Sequence, residues 1–141
     1  MKVAPVCTDY VHQTWPKVKD FLLAGILEGA DTAHPNSVYN IDHVLGYLAS
    51  GEWELVVGVD DDNIIRGAAT VAYINYPLHR VAFVTALGGK LVCSRDTVSQ
   101  LKEFLKLRGV TMMHAYGRES ISRLWQRHNF KPRSTLLELQ L

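Results

Sequence analysis

The sequence predicts an α/β (α+β) domain, a mixed and mostly antiparallel twisted sheet flanked by about four helices, in the order β-α-α-β-β-β-α-β-α-β. Three observations predict it. Apolar residues recur at helical spacing in four stretches: Trp15, Val18, Leu22 and Ile26; Ile41, Val44, Leu45 and Leu48; Val98, Leu101 and Leu105; and Ile121, Leu124, Trp125 and His128. Between the second and third stretches the period changes to strand character, in three runs divided by Asp60-Asp61-Asp62-Asn63 and by Tyr76-Pro77-Leu78-His79. After the third helix a short apolar strand, a Gly-Arg break and a helix follow in close succession over 110–130.

In chain order, residues 3–7 make a short edge strand, and Asp9 or Thr14 can cap the helix that follows over 15–28, where Pro16 suits a first turn. Residues 29–37, with Pro35 and several small polar residues, read as a loop, and Gly51 closes the second helix. Strands are expected over 53–59 and 64–74, joined by the acidic turn. That turn lacks the remaining ligands and spacing of a calcium loop, so a solvated turn is the reading. The run 80–87 is mostly apolar, which fits a central strand, and Gly88-Gly89 ends it. The third helix, over 94–108, has Ser94 or Asp96 as cap and Gly109 as stop. A strand over 110–116 leads to the fourth helix, which ends at Asn129-Phe130, and Pro132 separates it from a last strand over 135–141. Neither repeats nor low-complexity tracts are present, and one domain over 1–141 is expected.

The composition, 48% hydrophobic and 21% charged, is that of a soluble globular protein. The start, Met1-Lys2-Val3-Ala4-Pro5, lacks the apolar core of a signal peptide, and no run approaches the ~20 apolar residues of a membrane span. An intracellular protein, or one assembled inside a cell, is expected. Cys7 and Cys93 stand far apart without ligand spacing, which supports neither a disulfide framework nor a zinc site; both are expected as buried small hydrophobes.

The net charge of +1 hides a polarity along the chain. Residues 1–63 hold three lysines against ten acids, a balance of −7, and residues 64–141 hold twelve Lys or Arg against four acids, a balance of +8. If the halves occupy different faces, the molecule is an electrostatic dipole suited to contact with itself or with charged partners. If folding interleaves them, the asymmetry averages out.

The segment Leu124-Trp125-Gln126-Arg127-His128-Asn129-Phe130 resembles the Leu-Tyr-x-x-x-Gly-Phe of the acetyl-CoA-dependent N-acetyltransferase (GNAT) superfamily, and the order of elements resembles that fold over nearly the whole chain. The resemblance implies that acyl-CoA lies where the fourth and fifth strands splay. Its pyrophosphate would be held by backbone N–H groups at the start of the following helix, whose free donors and dipole attract an anion. The family's phosphate signature is absent from Leu87-Gly88-Gly89-Lys90-Leu91-Val92-Cys93-Ser94-Arg95. Leu87, Gly88, Gly89, Lys90 and Arg95 are the candidates for a substitute cradle, against the simpler reading of a strand-ending glycine pair.

The resemblance also implies a tyrosine that protonates the departing thiolate, at the position held here by Trp125. An indole cannot act as a general acid at ordinary pH. Tyr116 and His114 are the candidates for recruitment, although a histidine in an alternating strand is more often structural, and His128 on an apolar helix face reads as packing. No Gly-x-Ser-x-Gly elbow, HExxH or P-loop is present. Arg118, Arg123, Arg127, Lys131 and Arg133 could contact phosphate or an acidic protein, or form a solvated face. Nucleic acid is not the expected partner, since a solvated outer face explains the charges equally well.

The run Val81-Ala82-Phe83-Val84-Thr85-Ala86-Leu87-Gly88-Gly89-Lys90-Leu91, with residues 118–125, is similar to small GNAT-like proteins that tailed bacteriophages encode near virion-assembly genes. That similarity implies a non-catalytic protein kept for contacts with virion or assembly proteins, in the host cytoplasm or the virion, without a cofactor, and with a homo-oligomer among its forms. The competing expectation is an N-acyltransferase using acetyl-CoA on a small amine or a protein amino group. A third is a nucleic-acid-binding accessory protein.

Overall fold

The computed structural model describes residues 1–29, 39–92, 94–116 and 119–141. Five strands form one sheet in the order β1-β2-β3-β4-β5. They are β1 (Lys2–Val6), β2 (Trp53–Val59), β3 (Ile65–Asn75), β4 (Arg80–Gly89) and β5 (Met112–Ala115), and the helices are α1 (Val11–Gly29), α2 (Ile41–Ser50), α3 (Arg95–Leu107) and α4 (Glu119–Gln126). The first four strands pair antiparallel, and β5 pairs parallel with β4 through the crossover of α3.

Alternation along the strands sorts side chains onto two faces. Leu55, Val57, Ala68 and Ala86 meet Val11, Trp15, Val18, Leu22 and Ile26 of α1 and Val44 and Leu48 of α2. The opposite face sets Val56, Val71 and Ala82 against Leu101 and Leu105 of α3, and Ala69 and Val84 against Leu91, Val92, Val98 and Trp125. The sheet is therefore the middle layer, with α1 and α2 on one side and α3 and α4 on the other.

Several expectations hold in detail. Ser94 caps α3 by accepting from the Thr97 amide, and Gly51 and Gly109 take the left-handed conformations that close their helices. Asp60 Oδ1 accepts from the amides of Asp62 and Ile64, which makes the acidic turn a self-closed loop with Asn63 at φ 62°. The tie to the Ile64 amide and the bond from Arg66 hold the Asp60 carboxyl below its ordinary range. The α2 start is a capping box in which Asn40 and His43 exchange bonds.

Four expectations need correction. Helix α1 begins at Val11, after a 3-10 turn at Thr8–Tyr10, so neither Asp9 nor Thr14 caps it and Pro16 lies inside it. Burial of Val11 in line with Trp15, Val18, Leu22 and Ile26 outweighs the one backbone bond that proline removes. Cys7 is exposed and does not pack as a core residue; it precedes the turn where the chain leaves the sheet. Cys93 lies outside the described residues, as does nearly all of the 29–37 loop. The strand expected over 135–141 does not join the sheet, and its leucines are exposed.

The charge polarity is partly interleaved. Arg66 pairs with Asp60 at 2.7 Å and Arg108 with Glu54 at 2.9 Å, each linking the basic half to the acidic one. No helix among the described residues is long and apolar enough to cross a membrane.

Candidate functional site: a wedge between two parallel strands

Opposite β3, Val84 of β4 faces Val71 while Ala86 faces Thr70, so Thr85 is an extra residue in β4. Such a bulge bends its strand and increases the local twist. Strand β5 follows β4 only as far as the bulge: the parallel register runs from Val81↔Met112 to Val84↔Ala115 and stops, while β4 continues to Gly89. Beyond Val84 and Ala115 no further pairing joins the two strands among the described residues, and residues 86–89 of β4 continue paired with β3 alone.

The bulge is locked from the α1 and α2 side. Thr85 Oγ1 donates to the Thr70 carbonyl at 3.1 Å, and the two threonine hydroxyls lie 2.7 Å apart, which leaves Thr70 as donor in that second bond. The Tyr39 hydroxyl donates to the Thr85 carbonyl. Burial pushes that phenol above its ordinary pKa, so it stays protonated for this bond. Tyr39 is fixed in turn by an edge contact with Trp53 at 5.2 Å, and Trp53 stacks on Tyr47 at 4.4 Å. A lone tyrosine ahead of a helix and one threonine in an apolar run give no periodic signal, so sequence reasoning missed all three of Tyr39, Thr70 and Thr85.

Of the catalytic candidates, Tyr116 lies just past the last paired residue of β5, and His114 lies within the paired stretch. Tyr116 follows the last paired residue of β5, with its ring edge-on to Phe83 at 4.9 Å and its side chain mostly exposed. His114 turns back along its own strand, with Nε2 3.2 Å from Met112 Sδ, and lines an open apolar depression of about 420 Å³ with Tyr76, Pro77, Leu78, His79, Val81 and Met112. Trp125 is 5% exposed, packed against Phe130 at 4.6 Å and in the cluster with Ala69, Val84 and Val92. It is a core residue facing the α3 side. His128 Nε2 lies 2.9 Å from the Val92 carbonyl and so donates to the turn that leads into α3.

The motif around Trp125 has a geometric cause. The amides of His128 and Phe130 both return to the Trp125 carbonyl, and Asn129 adopts φ 70°. The family glycine and this asparagine both suit that left-handed cap.

The candidate cradle divides into two parts. Gly88 and Gly89 pair with Ala68 and Gly67, and Leu87 with Ala69, while the Lys90 amide donates to the Arg66 carbonyl at 2.9 Å. A Cβ on Gly88 would stand 1.8 Å from the Phe21 carbonyl oxygen, so this glycine admits the α1 backbone rather than a phosphate. Arg95 is exposed at the first turn of α3, whose opening amides lack intrahelical acceptors. The carboxylate of Asp96 accepts from Gln100 Nε2 at 2.9 Å, one turn along the helix. At the start of α3 the Ser94 hydroxyl takes the Thr97 amide, and Arg95 and Asp96 put one charge of each sign beside it.

Arg123 and Arg127 are exposed one turn apart at the end of α4, and exposed Lys131 and Arg133 follow; Arg118 lies outside the described residues. Among the described residues no cluster of His, Cys, Asp or Glu could hold a metal ion.

Solved structures share this architecture across their full length. A ribosomal-protein-alanine N-acetyltransferase from Brucella melitensis biovar Abortus 2308 superposes with a TM-score of 0.68 at 10% identity, covering 100% of both chains. The chain has the fold of the GNAT acetyltransferases. A GCN5-related N-acetyltransferase from Ralstonia eutropha JMP134 gives a TM-score of 0.65 at 14% identity over 99% of this chain and 97% of that one. A predicted acetyltransferase from Clostridium acetobutylicum, solved with acetyl-CoA, gives 0.64 at 18% identity over 99% and 95%. No protein-family model and no curated protein sequence matches the chain.

These likenesses overturn the expectation of a non-catalytic virion or assembly protein and the leaning against an enzyme. The matched proteins are acetyltransferases, one with acetyl-CoA bound, and the competing expectation of an acyltransferase is the better supported. The sequence pointed the other way because the tyrosine and the phosphate signature of the resemblance are both absent from it, whereas the fold they belong to is present.

Proposed function

We propose that the protein is an N-acyltransferase that uses acetyl-CoA on a small amine or a protein amino group. The observation that supports this reading is the end of β4–β5 pairing after Val84 and Ala115, beside a bulge at Thr85 that Thr70 and Tyr39 hold by hydrogen bonds, within a fold shared with acetyltransferases.

Acetyl-CoA as substrate supplies an activated thioester carbonyl. The open edge of β4 past Val84 offers backbone groups to an extended arm, as a sheet edge does to an added strand. The start of α3 and Arg95 offer donors and positive potential to phosphate. Tyr116, just past the end of that pairing, is the proton donor to the departing thiolate. A phenol is a competent acid for that step, and the indole of Trp125 is not. Tyr39 positions the bulge through the Thr85 carbonyl and is not placed in proton transfer.

Release of free thiol from acetyl-CoA, followed across amines that include a peptide N-terminus, lysine and aromatic and aliphatic amines, tests the reading. Amine-dependent, saturable release is expected. Absence of release with every amine, together with no heat on titration of acetyl-CoA, would remove it.

A further inference from the structure

On the face of the sheet that carries α1 and α2, one corner stands outside the core beneath those helices. Alternation puts Val81 and Phe83 of β4 on that face, because Ala82 and Val84 lie in the clusters against α3 and α4. Met112 and His114 are their register partners across the parallel pair and share the face, while Met113 and Ala115 pack on the opposite side. None of Val81, Phe83, Met112 and His114 belongs to the core beneath α1 and α2 among the described residues. The depression of about 420 Å³ lies at this corner, over Val81, Met112 and His114, and is bounded by Pro77 and Leu78 of the turn between β3 and β4.

Three properties of the corner decide what suits it. Its lining includes Pro77, Leu78, Val81 and Met112 and no Asp or Glu, so a cationic group placed there would lose water without meeting a counter-charge. Its volume is at the lower end of small-molecule sites and admits one ring-sized group. Its position is the third. His114 on its wall and Tyr116 are two residues apart along one face, about 7 Å, a span that a ring with an arm of roughly two or three carbons covers. The floor between them is continuous, because Phe83 pairs with His114 and holds the Tyr116 ring at 4.9 Å.

We infer that this corner seats the acceptor, and that the acceptor is a primary amine whose other end is an uncharged, ring-sized apolar group on a short arm, in preference to lysine, a polyamine or a peptide N-terminus. The inference rests on the acyltransferase reading and narrows its acceptor class. The apolar end leaves water against Leu78, Val81 and Met112, the arm crosses Phe83, and the nitrogen arrives beside Tyr116 where the pairing of β4 with β5 ends. There the neutral amine nitrogen bonds to the acyl carbon and the carbon–sulfur bond breaks. The thiolate takes the Tyr116 proton, the nitrogen gives one proton to water, and the phenol recovers one from water. A polyamine or a lysine peptide would bring a second charge or a run of amide groups to a surface that offers them no carboxylate.

Carbon-13 labelling of the methionine methyls gives probes at Met1, Met112 and Met113 of the full chain. Phenethylamine is expected to shift the Met112 methyl saturably and to leave Met113, on the opposite face, unmoved. In thiol release from acetyl-CoA, kcat/KM for phenethylamine is expected to exceed that for ethylamine by about 10- to 100-fold, the effect of taking one ring out of water. It is expected to exceed the values for spermidine and a lysine peptide as well. Leu78 is 89% exposed in its turn, so Leu78→Asp sets a carboxylate at the rim without opening the core. That variant is expected to lower kcat/KM for phenethylamine and raise it for putrescine, a reversal that partial unfolding does not produce. An unmoved Met112 methyl, release no faster with phenethylamine than with ethylamine, faster release with spermidine or the lysine peptide, or unchanged selectivity in Leu78→Asp would each overturn the inference and leave the acyltransferase reading in place. Absence of release with every amine would remove that reading and the inference with it.

Discussion

Replacing Gly88 with alanine separates two uses of the Gly88-Gly89 pair. The added Cβ would lie 1.8 Å from the Phe21 carbonyl oxygen and 2.6 Å from its carbon, where ordinary contact begins at 3.4 Å. Both atoms are backbone, so rotation of a side chain cannot relieve the clash. Helix α1 would have to withdraw from β4 by more than an ångström. It is held there a second time by Gly25, whose own added Cβ would meet the Leu87 carbonyl at 1.9 Å. Overpacking costs about 1–3 kcal/mol where side chains can yield, and here about 3 kcal/mol or more is expected. For a domain of this size that lowers the melting temperature by roughly 10 °C. Gly46→Ala is the control: nothing lies within 4 Å of its Cβ inside α2, and a gain of about 0.5–1 kcal/mol is expected. Thermal and urea melts of the three proteins, each with and without acetyl-CoA, give the comparison. A Gly88→Ala protein that melts with the wild type but binds acetyl-CoA far more weakly would refute the packing account and restore the glycine to a phosphate cradle.

Tyr116→Phe is expected to lower kcat for thiol release by about 100-fold or more with little change in KM, the signature of a lost general acid, while melting as the wild type does. Trp125→Ala is expected to destabilise by about 3–5 kcal/mol, because it empties a site packed by Val84, Val92 and Phe130; retention of wild-type stability in a urea titration would contradict its place in the core. Burial, and then the 2.5 Å hydrogen bond to Glu54, raise the Tyr73 phenol far above its ordinary value of 10.0. Its folded pKa is the higher one, so its contribution is complete below about pH 10 and is lost as pH rises beyond that. Tyr73→Phe should therefore flatten the alkaline fall in stability, and an unaltered alkaline limb would count against the assignment.

The helices and the central strands were legible because their signal is periodic burial. Trp15, Val18, Leu22 and Ile26, and Val98, Leu101 and Leu105, are spaced for one helix face, and those residues are the buried ones. The start of α1 was not legible, because a proline argues locally for a boundary that tertiary burial of Val11 overrides. The Ser94 cap and the Gly109 stop were readable from side-chain chemistry alone. The bulge was not: it depends on which residues oppose each other across two strands, and Thr85 sits within an otherwise apolar run. Tyr39 reaches the Thr85 carbonyl from far away in sequence, which no local pattern encodes. Around Trp125 the legible part was the helix end, made by Asn129 and Phe130, while Trp125 itself, read as unable to act as a general acid, packs in the core. The last strand was expected from a real alternation, but residues 135–141 join none of the five strands of the sheet.

Backbone amide shifts recorded while acetyl-CoA is added to the labelled protein test the central claim most directly. Saturable changes centred on residues 84–89, on Ala115 and Tyr116, and on Arg95 and Asp96 are expected, with the Asp60 turn and the outer faces of the helices unmoved. Saturation without changes at those positions, or changes centred on the apolar depression beside Pro77 and Met112, would contradict the placement of the acyl-CoA arm between β4 and β5.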